Sequence, residues 1–205
     1  GAFLNGECDL PVSFFRDNPQ LAGLRFFAAD GGADLAVQYG ITPELVLGDM
    51  DSLSPATRKM LGEAGCRFEV FPTDKDKTDG ELLLEKLEEM GFARILLFAA
   101  TGNRIDQTLI NIQLLGRFTS AVIVTAEELL FCTSKDIVFT SEQGKRISFI
   151  VESAETAIIS LCGCQYELAF HELRRGSSFT ISNKIVAERA VLSVHQGTVM
   201  VIKEL

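Results

Sequence analysis

Between residue 2 and about residue 125, short apolar runs alternate with stretches whose apolar positions recur every three or four residues. That alternation predicts βα units around a mainly parallel sheet. The runs place strands at 2–4, 25–29, 45–47, 66–71, 94–99 and 121–125. Helices between them carry start signals. Ser54 before Pro55 reads as an N-cap with proline at the first helical position. Thr78 with Glu81 fits a capping box, after which Leu82, Leu83, Leu87 and Met90 form an apolar face, and 107–115 repeats the pattern. Beyond about Thr133 the texture becomes alternating and β-branched, with strands expected at 146–152, 157–161, 179–182, 191–195 and 198–202 and a hairpin turn at Gln196-Gly197. The expected fold is α/β: an N-terminal mainly parallel sheet flanked by helices (1–133), followed by a C-terminal all-β sandwich (134–205).

Composition narrows the class. With 47% apolar and 23% charged residues over 205 positions, the chain can build a core and is not a disordered polymer. No apolar run reaches the length of a membrane span, so a soluble protein is expected. The net charge of -9 argues against a nucleic-acid partner. Cys8, Cys66, Cys132, Cys162 and Cys164 are odd in number and lack zinc or redox spacing, which fits reduced thiols in a cytoplasmic protein. The excess acid is all N-terminal: residues 1–133 hold 11 Lys/Arg and 20 Asp/Glu, and 134–205 hold eight of each.

Much of that acid falls just after predicted strands, namely Asp30, the Asp49 and Asp51 of Gly48-Asp49-Met50-Asp51-Ser52, the Asp74, Asp76 and Asp79 of a second cluster, and Asp106. The carboxyl ends of parallel strands share one edge, where ligands bind. Aspartates also serve as turn and capping residues, but two dense clusters exceed that need. Carboxylates gathered at one edge require a positive neutraliser, and hard oxygen ligands suit Mg²⁺ bridging to phosphates. Lys75, Lys77 and Arg104 could offset phosphate charge. No P-loop, kinase signature or G-x-G-x-x-G occurs, and Gly31-Gly32 alone is a weak signal. His171 and His195 both lie in the β part, so a Ser or Cys nucleophile lacks a nearby base, and His195 reads as structural or solvated. Metal-assisted transfer of a phosphate-containing group follows, with hydrolysis and non-catalytic nucleotide sensing as alternatives using the same cluster. Strand statistics assign Phe170 and Phe179 to core or hairpin roles; the alternative is an aromatic wall, shared with Tyr166, for a flat cationic ring.

Taken in order, Asn5-Gly6-Glu7, Asp30-Gly31-Gly32-Ala33-Asp34, Gly40-Ile41-Thr42-Pro43-Glu44, Gly48 to Ser52, Asp74 to Asp79, Arg104-Ile105-Asp106-Gln107, Gly163-Cys164-Gln165-Tyr166-Glu167-Leu168 and Ser182-Asn183 closely resemble the thiamine pyrophosphokinase family over essentially the whole chain. The resemblance implies transfer of the pyrophosphoryl group of ATP to the hydroxyl of thiamine, giving thiamine diphosphate and AMP, in a homodimer with active sites between subunits. It implies that Asp49, Asp51 and Asp79 hold Mg²⁺, that Asp76 and Arg104 face the phosphates, and that Asp30, Gly31, Gly32, Lys75, Thr78 and Asp106 belong to the nucleotide site. Asp106, Gln107, Tyr166, Ser182 and Asn183 would meet thiamine, and Asp76 is the candidate base. A related enzyme acting on another primary alcohol, such as a hydroxymethyl pterin, would share the nucleotide half. The chain departs from the family at Asn103, Gln107 and Lys184.

Overall fold

The computed structural model describes residues 1–205 except Ala22, Asn103, Ser153 and Ala154. It divides into two compact units, Gly1–Leu114 with Ile123–Ala126, and Leu115–Val122 with Glu127–Leu205.

The first unit runs β1 (Ala2–Phe3), α1 (Phe14–Asp17), a 3-10 turn (Pro19–Leu21), β2 (Phe27–Ala29), α2 (Gly32–Gln38), β3 (Leu45–Gly48), α3 (Pro55–Glu63), β4 (Arg67–Val70), α4 (Asp79–Glu89), β5 (Ile95–Phe98), and then α5 (Ile105–Arg117) and β6 (Ala121–Val124), which run across the division. The strand order is β6-β5-β1-β2-β3-β4. The pairs β5/β1, β1/β2, β2/β3 and β3/β4 are parallel. β2, β3 and β4 step away from β1 on one side, and α4 then carries the chain back to β5 on the other. That reversal opens a crevice at the carboxyl ends of the central strands. β1, β2 and β3 are buried throughout, as expected of strands covered on both faces. Helix starts follow local chemistry. Ser54 Oγ accepts from Thr57 N at 3.3 Å, and Thr78 Oγ1 accepts from Glu81 N at 3.2 Å. A Cβ on Gly32 would collide with the carbonyl oxygen of Phe3, so glycine there lets α2 begin hard against the end of β1.

The second unit adds β7 (Glu128–Thr133), β8 (Ile137–Thr140), β9 (Arg146–Val151), β10 (Thr156–Cys162), β11 (Leu168–Arg174), β12 (Asn183–Lys184), β13 (Arg189–Gln196) and β14 (Val199–Glu204). They form two antiparallel sheets, β12-β9-β14-β7 and β11-β10-β13-β8. Ile147, Phe149 and Val151 of the first sheet and Ala157, Ile159 and Leu161 of the second belong to one buried cluster at period-two spacing. Two local expectations fail here. Residues 179–182 form turns rather than a strand. Gln196-Gly197 closes no hairpin, because β13 pairs with β10 and β8 while β14 pairs with β7 and β9; the chain changes sheets at this point. Alternation reports which residues face the core but not which strand is the hydrogen-bonded neighbour.

Candidate active site

A cavity of about 610 Å³ lies at the strand ends of the first unit. Each strand end supplies part of it: Asn5 and Gly6 follow β1, Asp30 follows β2, Asp49, Asp51 and Ser52 follow β3, Lys75, Lys77 and Thr78 follow β4, and Thr101 and Gly102 follow β5. Arg104, Gln107, Thr108 and Asn111, spaced as one helix face, complete the wall at the start of α5. Three residues after strands adopt positive φ, Asp30 at 43°, Met50 at 65° and Ala99 at 53°. Such conformations cost energy and concentrate at functional sites.

Three carboxylates converge. Asp30, Asp49 and Asp79 each present an oxygen within 4.8 Å of the others. Gly48 permits it: at φ 151°, a Cβ would stand 2.9 Å from Asp30 Cβ and 3.1 Å from Asp79 Oδ1. The side chains differ electrostatically. Asp30 is only 4% exposed, and burial raises its pKa, opposed by hydrogen bonding to Ser52, whose N donates to Oδ2 at 3.2 Å. Burial likewise raises Asp79, opposed by Lys75. Asp49 is held below the ordinary carboxylate range, first by the backbone N–H of Asp51 at 3.2 Å and then by Lys75. Asp30 Oδ1 is buried without a hydrogen-bond partner, and Asp79 Oδ1 is buried with the Lys75 ammonium alone beside it, at 3.3 Å. Carboxylate oxygens left so, beside other carboxylates, fit a hard divalent cation.

The structure separates the sequence candidates. Asp49, Asp79, Lys75, Thr78, Arg104 and Gln107 line the cavity. Asp51 also lines it, exposed at the rim with its Oδ1 accepting from Ser52 Oγ at 2.9 Å, but outside the trio that closes to 4.8 Å. Asp30, which the sequence places directly after the second strand and in the nucleotide site, stands third in that trio. Asp76 is exposed and does not line the cavity. Gly31 and Gly32 pack against Asn5 and Phe3, not along the cavity wall. The Arg104 fork is engaged by Asp106 at 3.1 and 2.6 Å, an exposed pair worth little in solvent and readily exchanged. Asn103 lies outside the described residues. Asn5 and Asn111 were missed from the sequence; Asn111 is buried and donates to the Ala100 carbonyl at 2.8 Å.

The second unit holds its own cavity of about 560 Å³, lined by Gln165, Tyr166, Glu167, Leu168, Phe179, Thr180, Ile181 and Asn183. Phe170, expected in a core or hairpin, lies on β11 of the β10–β11 hairpin and is 73% exposed; Phe179, expected likewise, stands in a turn and is 62% exposed, and Tyr166 is 64% exposed. Phe179 stacks on His171 with ring centroids 4.9 Å apart, and Phe170 on His195 at 4.1 Å. The tight turns at 175–176 and 179–182 bring Phe179 out of any strand, which is why its side chain escapes the core. Asn183 is buried, accepting from Tyr166 N at 3.1 Å and donating to Tyr166 O at 2.8 Å, so it fixes the tyrosine's backbone. Ser182 is exposed at φ 59° and does not line this cavity; Lys184, on β12, is exposed.

Comparison with known proteins bears on both units. Residues 24–125 match the family model described as thiamin pyrophosphokinase, catalytic domain, and 135–199 that described as thiamin pyrophosphokinase, vitamin B1 binding domain. The thiamine pyrophosphokinase of Bacillus subtilis (strain 168) is 29% identical over 184 residues, 87% of this chain and 86% of the relative. Among solved structures, thiamin pyrophosphokinase from Geobacillus thermodenitrificans superposes with TM-score 0.83 at 27% identity, covering 100% of this chain and 96% of that one. The yeast enzyme, at 15% identity, TM-score 0.79 and coverage of 99% and 84%, shares the fold.

Proposed function

Because the chain belongs to the thiamine pyrophosphokinase family, we propose that it transfers the pyrophosphoryl group of ATP to the hydroxyl of thiamine, forming thiamine diphosphate and AMP. The observation that carries the chemistry is the meeting of Asp30, Asp49 and Asp79 in a cavity that also receives Lys75, Lys77 and Arg104. The donor set fits Mg²⁺, with Asp30, Asp49 and Asp79 as holders and Asp51 at the rim. When bound, such an ion polarises phosphate oxygens and screens the charge that develops on them. The protein's own part is positional. Lys77 and Arg104 reach phosphate oxygens along the wall, Lys77 giving up Glu85 at 2.7 Å and Arg104 giving up Asp106 at 2.6 Å to do so. Held in line, the thiamine oxygen attacks the β-phosphorus as the bond to the α,β-bridging oxygen breaks, AMP departs and the hydroxyl proton passes to solvent. A loose transition state asks little of a base, which agrees with Asp76 standing outside the cavity.

For thiamine, the exposed aromatic surface of Tyr166 and Phe179 supplies faces for a flat cationic ring, with Asn183 fixing the Tyr166 backbone. Residues 1–133 would then serve the nucleotide and 134–205 thiamine. A homodimer with active sites between subunits and a cytoplasmic location complete the proposal. No described helix is long and apolar enough to cross a membrane.

Phosphorus NMR of the protein with ATP and Mg²⁺, with and without thiamine, tests the reading. AMP and thiamine diphosphate are expected only with thiamine. AMP and free pyrophosphate without it would replace transfer by hydrolysis, and no turnover with thiamine would overturn the choice of acceptor.

A further inference from the structure

Lys75 stands inside the carboxylate cluster rather than beside it. Its ammonium lies 3.4 Å from Asp49 Oδ2 and 3.3 Å from Asp79 Oδ1, and the side chain is only 15% exposed. A further hydrogen bond reaches the Pro72 carbonyl at 3.2 Å. One positive charge thus answers three negative ones, and the answer is incomplete: Asp30 Oδ1 remains buried without a hydrogen-bond partner, and Asp79 Oδ1 has the Lys75 ammonium alone.

We propose that Lys75 is a tethered counter-ion, holding the carboxylates together in the metal-free protein and exchanging with the divalent cation when nucleotide phosphates arrive. The proposal rests on the reading of this cavity as a cation and phosphate site. Mg²⁺ bonds oxygen ligands at about 2.1 Å. An ammonium 3.3 to 3.4 Å from oxygens of the same two aspartates would then be its close neighbour, with like charges sharing one set of oxygens in a partly desolvated place. Both cannot stay. The lysine stem is flexible and its head is a point charge with three donors, so it can leave one anion for another. Lys75 follows β4 and lines the cavity, so polyphosphate oxygens entering there give the displaced ammonium a new partner. Exchange against the cation alone forfeits both ion contacts; exchange against cation plus polyphosphate does not. Cation and nucleotide therefore bind cooperatively, each raising the affinity of the other.

Electron paramagnetic resonance of Mn²⁺ with the two-unit protein, without nucleotide, reads the competition directly. Lys75→Met should bind Mn²⁺ roughly tenfold more tightly than the parent, because its competitor is gone, whereas Lys75→Arg, which keeps the charge, should stay within about twofold. Equal or weaker Mn²⁺ binding by a folded Lys75→Met protein overturns the proposal. An independent measurement needs no variant: acetylation of Lys75 by acetic anhydride, followed by mass spectrometry, should be slow in the metal-free protein and accelerate with Mn²⁺ and α,β-methylene-ATP. A rate at Lys75 unchanged by that pair overturns it as well. Neither experiment involves thiamine or turnover. A protein that makes thiamine diphosphate but leaves Lys75 protected refutes the exchange alone, and one that exchanges Lys75 without turnover refutes only the catalytic reading.

Discussion

The cavities of the two units are of similar volume and built on opposite principles. In the first, the polar groups are short of partners: Asp30 keeps a buried oxygen unpaired, Asp79 shares a single ammonium with Asp49, and burial raises the pKa of both Asp30 and Asp79. In the second, the buried polar group is satisfied, since Asn183 bonds Tyr166 through both ends of its amide, and the unmet surface is aromatic. A site that must stabilise charge keeps electrostatic capacity in reserve, as carboxylates poised for a cation. A site that must recognise a flat ring needs rigid faces on a settled backbone. The first arrangement costs stability, and the second does not.

The contrast can be broken from either side. The largest expected effect is in the first cavity: Asp79→Asn should lower the rate of thiamine diphosphate formation by roughly a thousandfold, with folding intact by circular dichroism. Activity near that of the parent in this variant would remove the cluster from the chemistry. Next, Asn183→Ala should lower unfolding stability in urea by about 2 kcal/mol, since it strands the buried polar groups of the Tyr166 backbone. Phe179→Ala, by comparison, touches an exposed ring, so its stability should stay within about 0.5 kcal/mol. One effect carries the opposite sign. Asp30→Asn, which keeps the shape and tolerates the positive φ, should stabilise the metal-free protein at pH 7 by about 1 kcal/mol while lowering turnover. The folded Asp30 carboxyl binds its proton more tightly than the unfolded one, whose ordinary value is 3.8. Its ionisation therefore withdraws stability as pH rises through that value to the folded pKa, and the advantage of asparagine should vanish in melts below about pH 4. A variant equally stable to its parent at pH 7 would show that Asp30 is not strained by its burial.

Local signals survived into the structure wherever one stretch of chain decides the outcome. Ser54 and Thr78 cap the helices their positions announce, and the six N-terminal strands fall within the predicted runs, give or take a residue or two at their ends. The post-strand aspartates Asp49 and Asp79 reach one cavity because parallel strands deliver their carboxyl ends to one edge, a rule that needs only the alternation of elements. What local pattern could not supply was partnership. Asp30, Asp49 and Asp79 meet from three separate stretches of the chain, and Phe179 is exposed in a turn.

The amino-acid sequence by itself determined the layer types, the helix starts, the place of the excess acid and, through motifs in order, the family. The tertiary structure alone decided which carboxylates converge, that Gly48 opens the room for them, that Lys75 lies between two of them, and that β13 and β14 part into different sheets. The physical reason is range. Capping, periodicity and turn chemistry act over a few residues and are written where they act. Burial, ion pairing and strand neighbourhood depend on distances between residues far apart in the chain, and those distances exist only once the chain has folded.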